Sequence, residues 1–186
     1  MPIPATQNQT TEPAGGTAGA TAAPRSATDA ATDAAQGEQL QLVTFEINGE
    51  EYAFDILAVQ EINRMLELTR VPQSPPEVEG VINLRGRIIP VLDLRTRFGM
   101  PPCERTENHR IVVVEVHRRV IGFIVDRVHE VLRIDGSIVD TAPDMVTSID
   151  TDFIDGVGKL DDRLLILLNL QRLVSAEETE SYAAVA

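Results

Sequence analysis

Tryptophan is missing from these 186 residues, aromatic residues make up only 4% of them, and cysteine occurs once, at Cys103. A single cysteine excludes an intramolecular disulfide framework, so any fold must be held by its apolar core. Long apolar runs are also missing. The longest aliphatic stretch, Leu164 to Leu168, is far short of the roughly 20 residues a spanning helix needs, so no direct membrane insertion is expected. The chain begins MPIPATQNQT, with neither a basic nor an apolar leader segment, and a cytoplasmic location is expected. Basic residues are outnumbered 29 to 16, for a net charge of −13. That balance repels nucleic-acid phosphates and anionic membranes, so no nucleic acid is expected as a general partner.

What is present is a repeat. FEINGEEYAFDILAVQEI from Phe45 and VEVHRRVIGFIVDRVHEV from Val114 superimpose without a gap, matching Ile47 with Val116, Phe54 with Phe123, Val59 with Val128, and Glu61 with Glu130. A second pair, GVINLRGRIIPVLDLRTR from Gly80 and GVGKLDDRLLILLNLQRL from Gly156, aligns Leu84 with Leu160 and Arg87 with Arg163. Duplication at this period implies two similar units that bury their faces partly on each other. The copies differ most at Arg85-Gly86, which is Asp161-Asp162 in the second.

Residues 1–38 are dominated by Ala, Thr, Gly, Pro and Gln without apolar periodicity, and read as a disordered extension. Residues 176–186 read as a short acidic tail. Between them the signals are strands. Val43, Phe45 and Ile47 alternate with polar residues, Asn48-Gly49 is a strong hairpin signal, and Asp55 can cap a single helical turn. Pro90 cannot donate a ladder hydrogen bond, which predicts an edge strand or a bulge there. Five short strands per copy predict a mainly β domain over residues 39–175. Its two small barrels are expected at about 45–105 for the first and 39–44 plus 106–175 for the second.

Catalytic and metal signatures do not emerge. His109, His117 and His129 lack zinc spacing and read as solvated or locally hydrogen-bonded. The acidic stretch DTDFIDG from Asp150 fails the spacing of a calcium loop, and GVGK at Gly156 lacks the Walker pattern. Nothing basic flanks Cys103 closely enough to promise an activated thiolate. No catalytic residue, cofactor or metal is therefore expected. Arg85 does stand out: the sister turn shows that a barrel can do without an arginine there, and a guanidinium on a rigid turn suits recognition of a partner. The V-x-E stretches at Val59 and Glu61, and at Val128 and Glu130, place apolar and acidic residues in alternation on equivalent strands.

From about Leu40 to Val174 the chain resembles the CheW family of bacterial chemotaxis coupling proteins, through FEINGEEYAFDILAVQEI, GVINLRGRIIPVLDLR, IGFIVDRVHEVL and FIDGVGKLDDRLLILLNL in order. The resemblance implies two intertwined five-stranded SH3-like barrels with short helical turns and a C-terminal helix, and no enzymatic activity. It also implies a scaffolding role joining methyl-accepting chemoreceptor tips to the regulatory domain of the histidine kinase CheA. By the same resemblance, the receptor surface comprises Val59, Glu61, Arg85, Gly86, Val128 and Val131, and the kinase surface Arg64, Val71 and Gly80. The long extension before Glu38 lies outside the family pattern. Regulatory domains of CheA and the front part of CheV share this double barrel, but the chain has no room for an ATP-binding or receiver domain. A small barrel that binds ligands or nucleic acid outside chemotaxis is the alternative, and the acidic balance and scarce aromatics count against it.

Overall fold

The computed structural model describes residues 38–140 and 151–185, so the expected disordered extension, all but its last residue Glu38, and part of the acidic loop fall outside the described residues. Three tight reversals organise the strands. β1 (Gln39–Ile47) and β2 (Glu50–Asp55) are joined by Asn48-Gly49, β4 (Val78–Leu84) and β5 (Arg87–Asp93) by Arg85-Gly86, and β6 (Arg110–Val116) and β7 (Arg119–Val125) by His117-Arg118. All six turn residues have positive φ, the geometry whose twist matches the flanking strands. β10 (Ile154–Lys159) and β11 (Leu164–Leu168) reverse differently: Leu160 N–H donates to Arg163 O at 3.0 Å, and neither Asp161 nor Asp162 has positive φ. The remaining strands are β3 (Val59–Arg64), β8 (Arg127–Asp135) and β9 (Val139–Asp140). As expected, the Asp55 carboxylate caps a single 3-10 turn by accepting from Leu57 N–H at 2.8 Å.

The strands form two sheets, ordered β3-β6-β7-β5-β4 and β8-β1-β2-β11-β10-β9, each curled into a small barrel. This partition corrects the barrel boundaries read from the sequence, and it makes the second sheet six-stranded. Each copy lends its first hairpin to the other. The β1–β2 hairpin of copy one pairs with β8, setting Val43 opposite Val131, and runs parallel to β11, setting Tyr52 opposite Ile166. The β6–β7 hairpin of copy two pairs with β3, setting Val59 opposite Val114, and runs parallel to β5 from Val91–Gly122 onward.

Pro90 lies inside the first barrel, between β4 and β7, rather than at its edge. Val81, its partner on β4, exchanges both of its backbone hydrogen bonds with Thr69, so Pro90's missing N–H falls on the β7 side. In the second barrel the parallel ladder includes Tyr52–Ile166; the equivalent pair, Ile121 and Pro90, is absent from the first.

The few aromatics are concentrated where the barrels meet. Phe45 and Phe54 of the β1–β2 hairpin pack at a tilt with centroids 4.7 Å apart, and Phe54 reaches Phe123 of β7 at 5.7 Å. Each is fully buried, and such a side chain contributes roughly 1.5–3 kcal/mol. This seam is the largest apolar cluster, joined by Ile47, Val112, Leu92 and Leu168. Each barrel adds a smaller core of its own, around Ile89 and Ile111 in the first and Leu165 and Leu167 in the second.

The chain closes with α2 (Leu170–Leu173), capped by Asn169, and α3 (Ala176–Val185). The expected acidic tail is therefore a docked helix. Tyr182 is buried and its hydroxyl donates to Glu77 Oε1 at 2.8 Å; Arg97, on α1 (Leu94–Arg97), holds Glu178 through two hydrogen bonds of 2.8 and 3.1 Å.

Candidate functional site

Arg85 sits at φ +53° on its turn, with the next residue, Gly86, donating its N–H to Asn83 Oδ1 at 2.9 Å. Those constraints fix where the arginine leaves the backbone. Its Nη2 donates to Glu61 Oε1 on β3 at 3.1 Å, while 80% of the side chain stays exposed. An ion pair this exposed contributes little to stability. The guanidinium keeps most of its donors free.

β3 and β8 are each one of the two outer strands of their sheets, and each ladder is interrupted by a bulge, between Val59 and Glu61 in one and opposite Val43 and Phe45 in the other. Val59 and Val128 stand on these different strands yet pack against the same seam cluster. Of the expected receptor residues, Val59 and Val128 thus reach the seam from the two barrels, while Glu61 and Arg85 are joined to each other on the first. Val131 projects further out and is half exposed.

Glu130, the counterpart of Glu61, also has an arginine. Arg163 Nη2 donates to Glu130 Oε1 at 3.0 Å, and its Nε lies 3.0 Å from Glu51 Oε2. The asymmetry read from Arg85 against Asp161 is therefore not the absence of an ion pair in the second copy. It is one of freedom: Arg163 serves two carboxylates and is 38% exposed, against one carboxylate and 80% for Arg85.

The expected kinase residues do not all meet. Arg64 ends β3 opposite Arg110 and lines a hollow with Met65, Thr106 and Asn108. Val71 lines a different one with Gln73, Pro76 and Glu79. Gly80 lies beneath that second region and is buried. A Cβ there would stand 2.6 Å from Thr69 O, where the chain crosses to bridge Val81. Gly156 does the same in the second copy, with a Cβ meeting Asp140 O at 2.8 Å where β9 crosses β10. Gly80 shapes the neighbouring surface by close approach and offers a partner no side chain.

Sequence reasoning missed a polar network at the junction of the β1–β2 turn, α1 and β7. Arg95 grips both oxygens of Asp126, at 2.9 and 2.6 Å, and Asn48 N–H donates to the same carboxylate at 2.8 Å. Asp93, itself buried, accepts from Arg95 N–H at 2.8 Å and from Arg105 at 2.5 Å. Burial disfavours the Asp126 carboxylate, but the Arg95 and Asn48 hydrogen bonds outweigh it and hold the group below the ordinary aspartate range.

His109 is buried beside this network, taking Thr106 N–H at Nδ1 (3.0 Å), with Nε2 3.5 Å from both Cys103 Sγ and Asp126 Oδ1. Burial pushes its pKa down, against the pull of Asp126. By distance alone Cys103, His109 and Asp126 could converge on a metal ion. Their bonding argues otherwise. With Nδ1 accepting a backbone N–H, the neutral ring carries its proton on Nε2, and Arg95 occupies both Asp126 oxygens.

Residues 41–178 match the family described as the CheW-like domain. The chain belongs to the CheW-like domain family. It is 38% identical over 149 residues to a probable chemotaxis protein CheW of Rhizobium etli, covering 80% of this chain and 94% of that one. It is 37% identical over 138 residues to the chemotaxis protein CheW of Klebsiella aerogenes, covering 74% and 83%. Among solved structures, the scaffolding protein TtCheW from Thermoanaerobacter tengcongensis superimposes with a TM-score of 0.70 at 39% identity, over 77% of this chain and 97% of that one. The CheW-like match ends at residue 178, within α3. No helix among the described residues is long and apolar enough to cross a membrane.

Proposed function

We propose that this protein is a non-catalytic chemotaxis adaptor that joins the cytoplasmic tips of methyl-accepting receptors to the regulatory domain of the histidine kinase CheA. The reading rests on membership of the CheW-like family, and the observation that carries its receptor half is the largely exposed guanidinium of Arg85. An arginine fixed at its root by a left-handed turn, and held by one carboxylate at its tip, is preorganised for a partner's backbone or side-chain oxygens.

The junction between the barrels suits a helix. In this reading Val59 and Val128, which pack against the seam, would give apolar contacts, Glu61, Arg85 and Gly86 polar ones, and the exposed Val131 a further apolar one. The kinase surface is assigned to Arg64 and to the Val71 loop that Gly80 allows to pack. Signal passes by binding alone: receptor and kinase held on one adaptor feel each other's conformational changes. Receptors would carry the protein to the inner face of the membrane or to cytoplasmic arrays.

The test is a calorimetric titration against the regulatory domain of a CheA encoded in the same genome, with receptor pull-down alongside. Saturable one-to-one kinase binding and Arg85-dependent receptor capture are expected. Failure to bind any such kinase would overturn the coupling role.

A further inference from the structure

The first barrel contains a second polar site that the adaptor reading does not use. Where the parallel ladder between β5 and β7 stops short at Pro90, the strands leave a cavity of about 250 Å³. Ile89, Ile121 and Thr179 of α3 form its buried floor and wall, and Arg87, Arg118 and Arg119 stand at its exposed rim. Among the described residues no acidic one lines it.

Two observations bear on these arginines. In a chain where acids outnumber bases 29 to 16, none of Arg87, Arg118 and Arg119 is ion-paired among the described residues; Arg64, Arg110, Arg127 and Arg133 are unpaired too, but the first three all meet at one cavity. The second concerns the backbone. Arg118 is held at φ +63°, in a turn position where the sister copy has Gly49 at φ +84°, and Arg119 replaces Glu50. A side chain at that φ costs roughly 1–2 kcal/mol that glycine would avoid. The turn keeps an arginine where the fold alone favours glycine.

We propose that this cavity binds a small molecule bearing a diphosphate group. Planar guanidiniums recognise phosphate oxygens through paired hydrogen bonds, and three of them carry more charge than one carboxylate would neutralise. The buried floor shields one side from water, which strengthens those bonds. The volume is somewhat below that of a drug-sized pocket and accommodates a compact anion. Because Thr179 belongs to α3, occupancy would also stabilise the docking of that helix on the barrel.

The experiment is a calorimetric titration of the full chain with sodium pyrophosphate, repeated with inorganic phosphate. Saturable one-site binding is expected, tighter for pyrophosphate, and weakened by added salt. Arg118→Gln and Arg119→Gln, separately and together, are expected to lower affinity roughly tenfold or more, as loss of a charged hydrogen bond does. Arg133→Gln, on β8 outside the cavity, should leave it unchanged. The absence of saturable heat overturns the proposal, as do equal affinities for the two anions, unaltered binding by the double variant, or an equal loss with Arg133→Gln. Thermal melts of each variant separate lost binding from lost fold.

Discussion

Glu61 and Glu130 occupy the same position in the two copies and each accepts a hydrogen bond from an arginine, yet the arginines come from non-equivalent places. Arg85 reaches Glu61 from the turn itself, whereas Arg163 reaches Glu130 from just past the turn, a position aligned with Arg87. The carboxylate is the common element and the cation has moved. Replacing Arg85 with aspartate, the residue at its aligned position, should therefore spare the fold, since Asp-Gly suits the same turn and the lost pair is worth at most about 1 kcal/mol. Receptor capture should fall sharply while kinase binding persists. A collapsed melting transition would refute the division between folding and recognition at this residue.

Glu61→Ala should act in the same direction but more mildly, because it releases Arg85 without removing it. Pull-down with receptor fragments, run beside Arg85→Asp, gives the order. If neither change alters capture, the receptor surface lies elsewhere.

The Arg95–Asp126 pair is mostly buried and joins α1 to the turn that precedes β8. Arg95→Leu leaves Asp126 with Asn48 as its principal donor and should cost roughly 3 kcal/mol. Urea denaturation measures this directly, and a loss below about 1 kcal/mol would mean that the pair is solvated in solution.

Acid should destabilise the protein in two stages. His109 is neutral in the fold with a pKa pushed below its usual 6.5, so the unfolded chain takes up a proton first and stability falls as the pH drops below about 6.5. Asp126 and Glu178 are depressed instead. Burial works against each carboxylate, but Arg95 and Asn48 for the first, and Ser175 N–H and Arg97 for the second, more than compensate. Their contribution is complete above the ordinary carboxylate range and is lost as the pH falls through their lowered values. His109→Asn, whose Oδ1 can replace Nδ1 as acceptor for Thr106 N–H, should abolish the first stage and keep the second in melts taken from pH 8 to 3.

Gly80→Ala and Gly156→Ala should each destabilise by roughly 1–3 kcal/mol, since the added Cβ meets backbone oxygen at 2.6 and 2.8 Å. Kinase affinity of the folded Gly80→Ala protein should then drop only through displacement of the Val71 loop. Equal stability with lost kinase binding would make Gly80 a direct contact.

The hairpin at Asn48-Gly49 and the duplication were legible because both are local in sequence. The exchange of hairpins was implied only by the family resemblance, as intertwined barrels: β5 and β11 carry similar apolar patterns, and no local signal says which of them β2 will lie beside. Pro90 is informative in retrospect, because it shortens the β5 ladder where Ile166 of β11 continues it. The docked α3 was hidden by composition. Among the described side chains of AEETESYAAV only Thr179 and Tyr182 are buried, three residues apart on one helical face, and the acids around them dominate the pattern. Arg85 was visible as an outlier of the repeat. The cluster of Cys103, His109, Asp126 and Arg95 was invisible, since its members are drawn together only by the tertiary fold.

The exchanged hairpins bear on the origin of the chain. A single copy carries a first hairpin of its own, so it could close such a barrel alone or by borrowing the hairpin of another molecule, as a swapped homodimer whose stability falls on dilution. Fusing two copies in tandem turns that exchange into an intramolecular one, at an effective concentration on the order of millimolar. Once fused, the halves were free to diverge, one keeping Arg85 exposed and the other binding its arginine to two carboxylates.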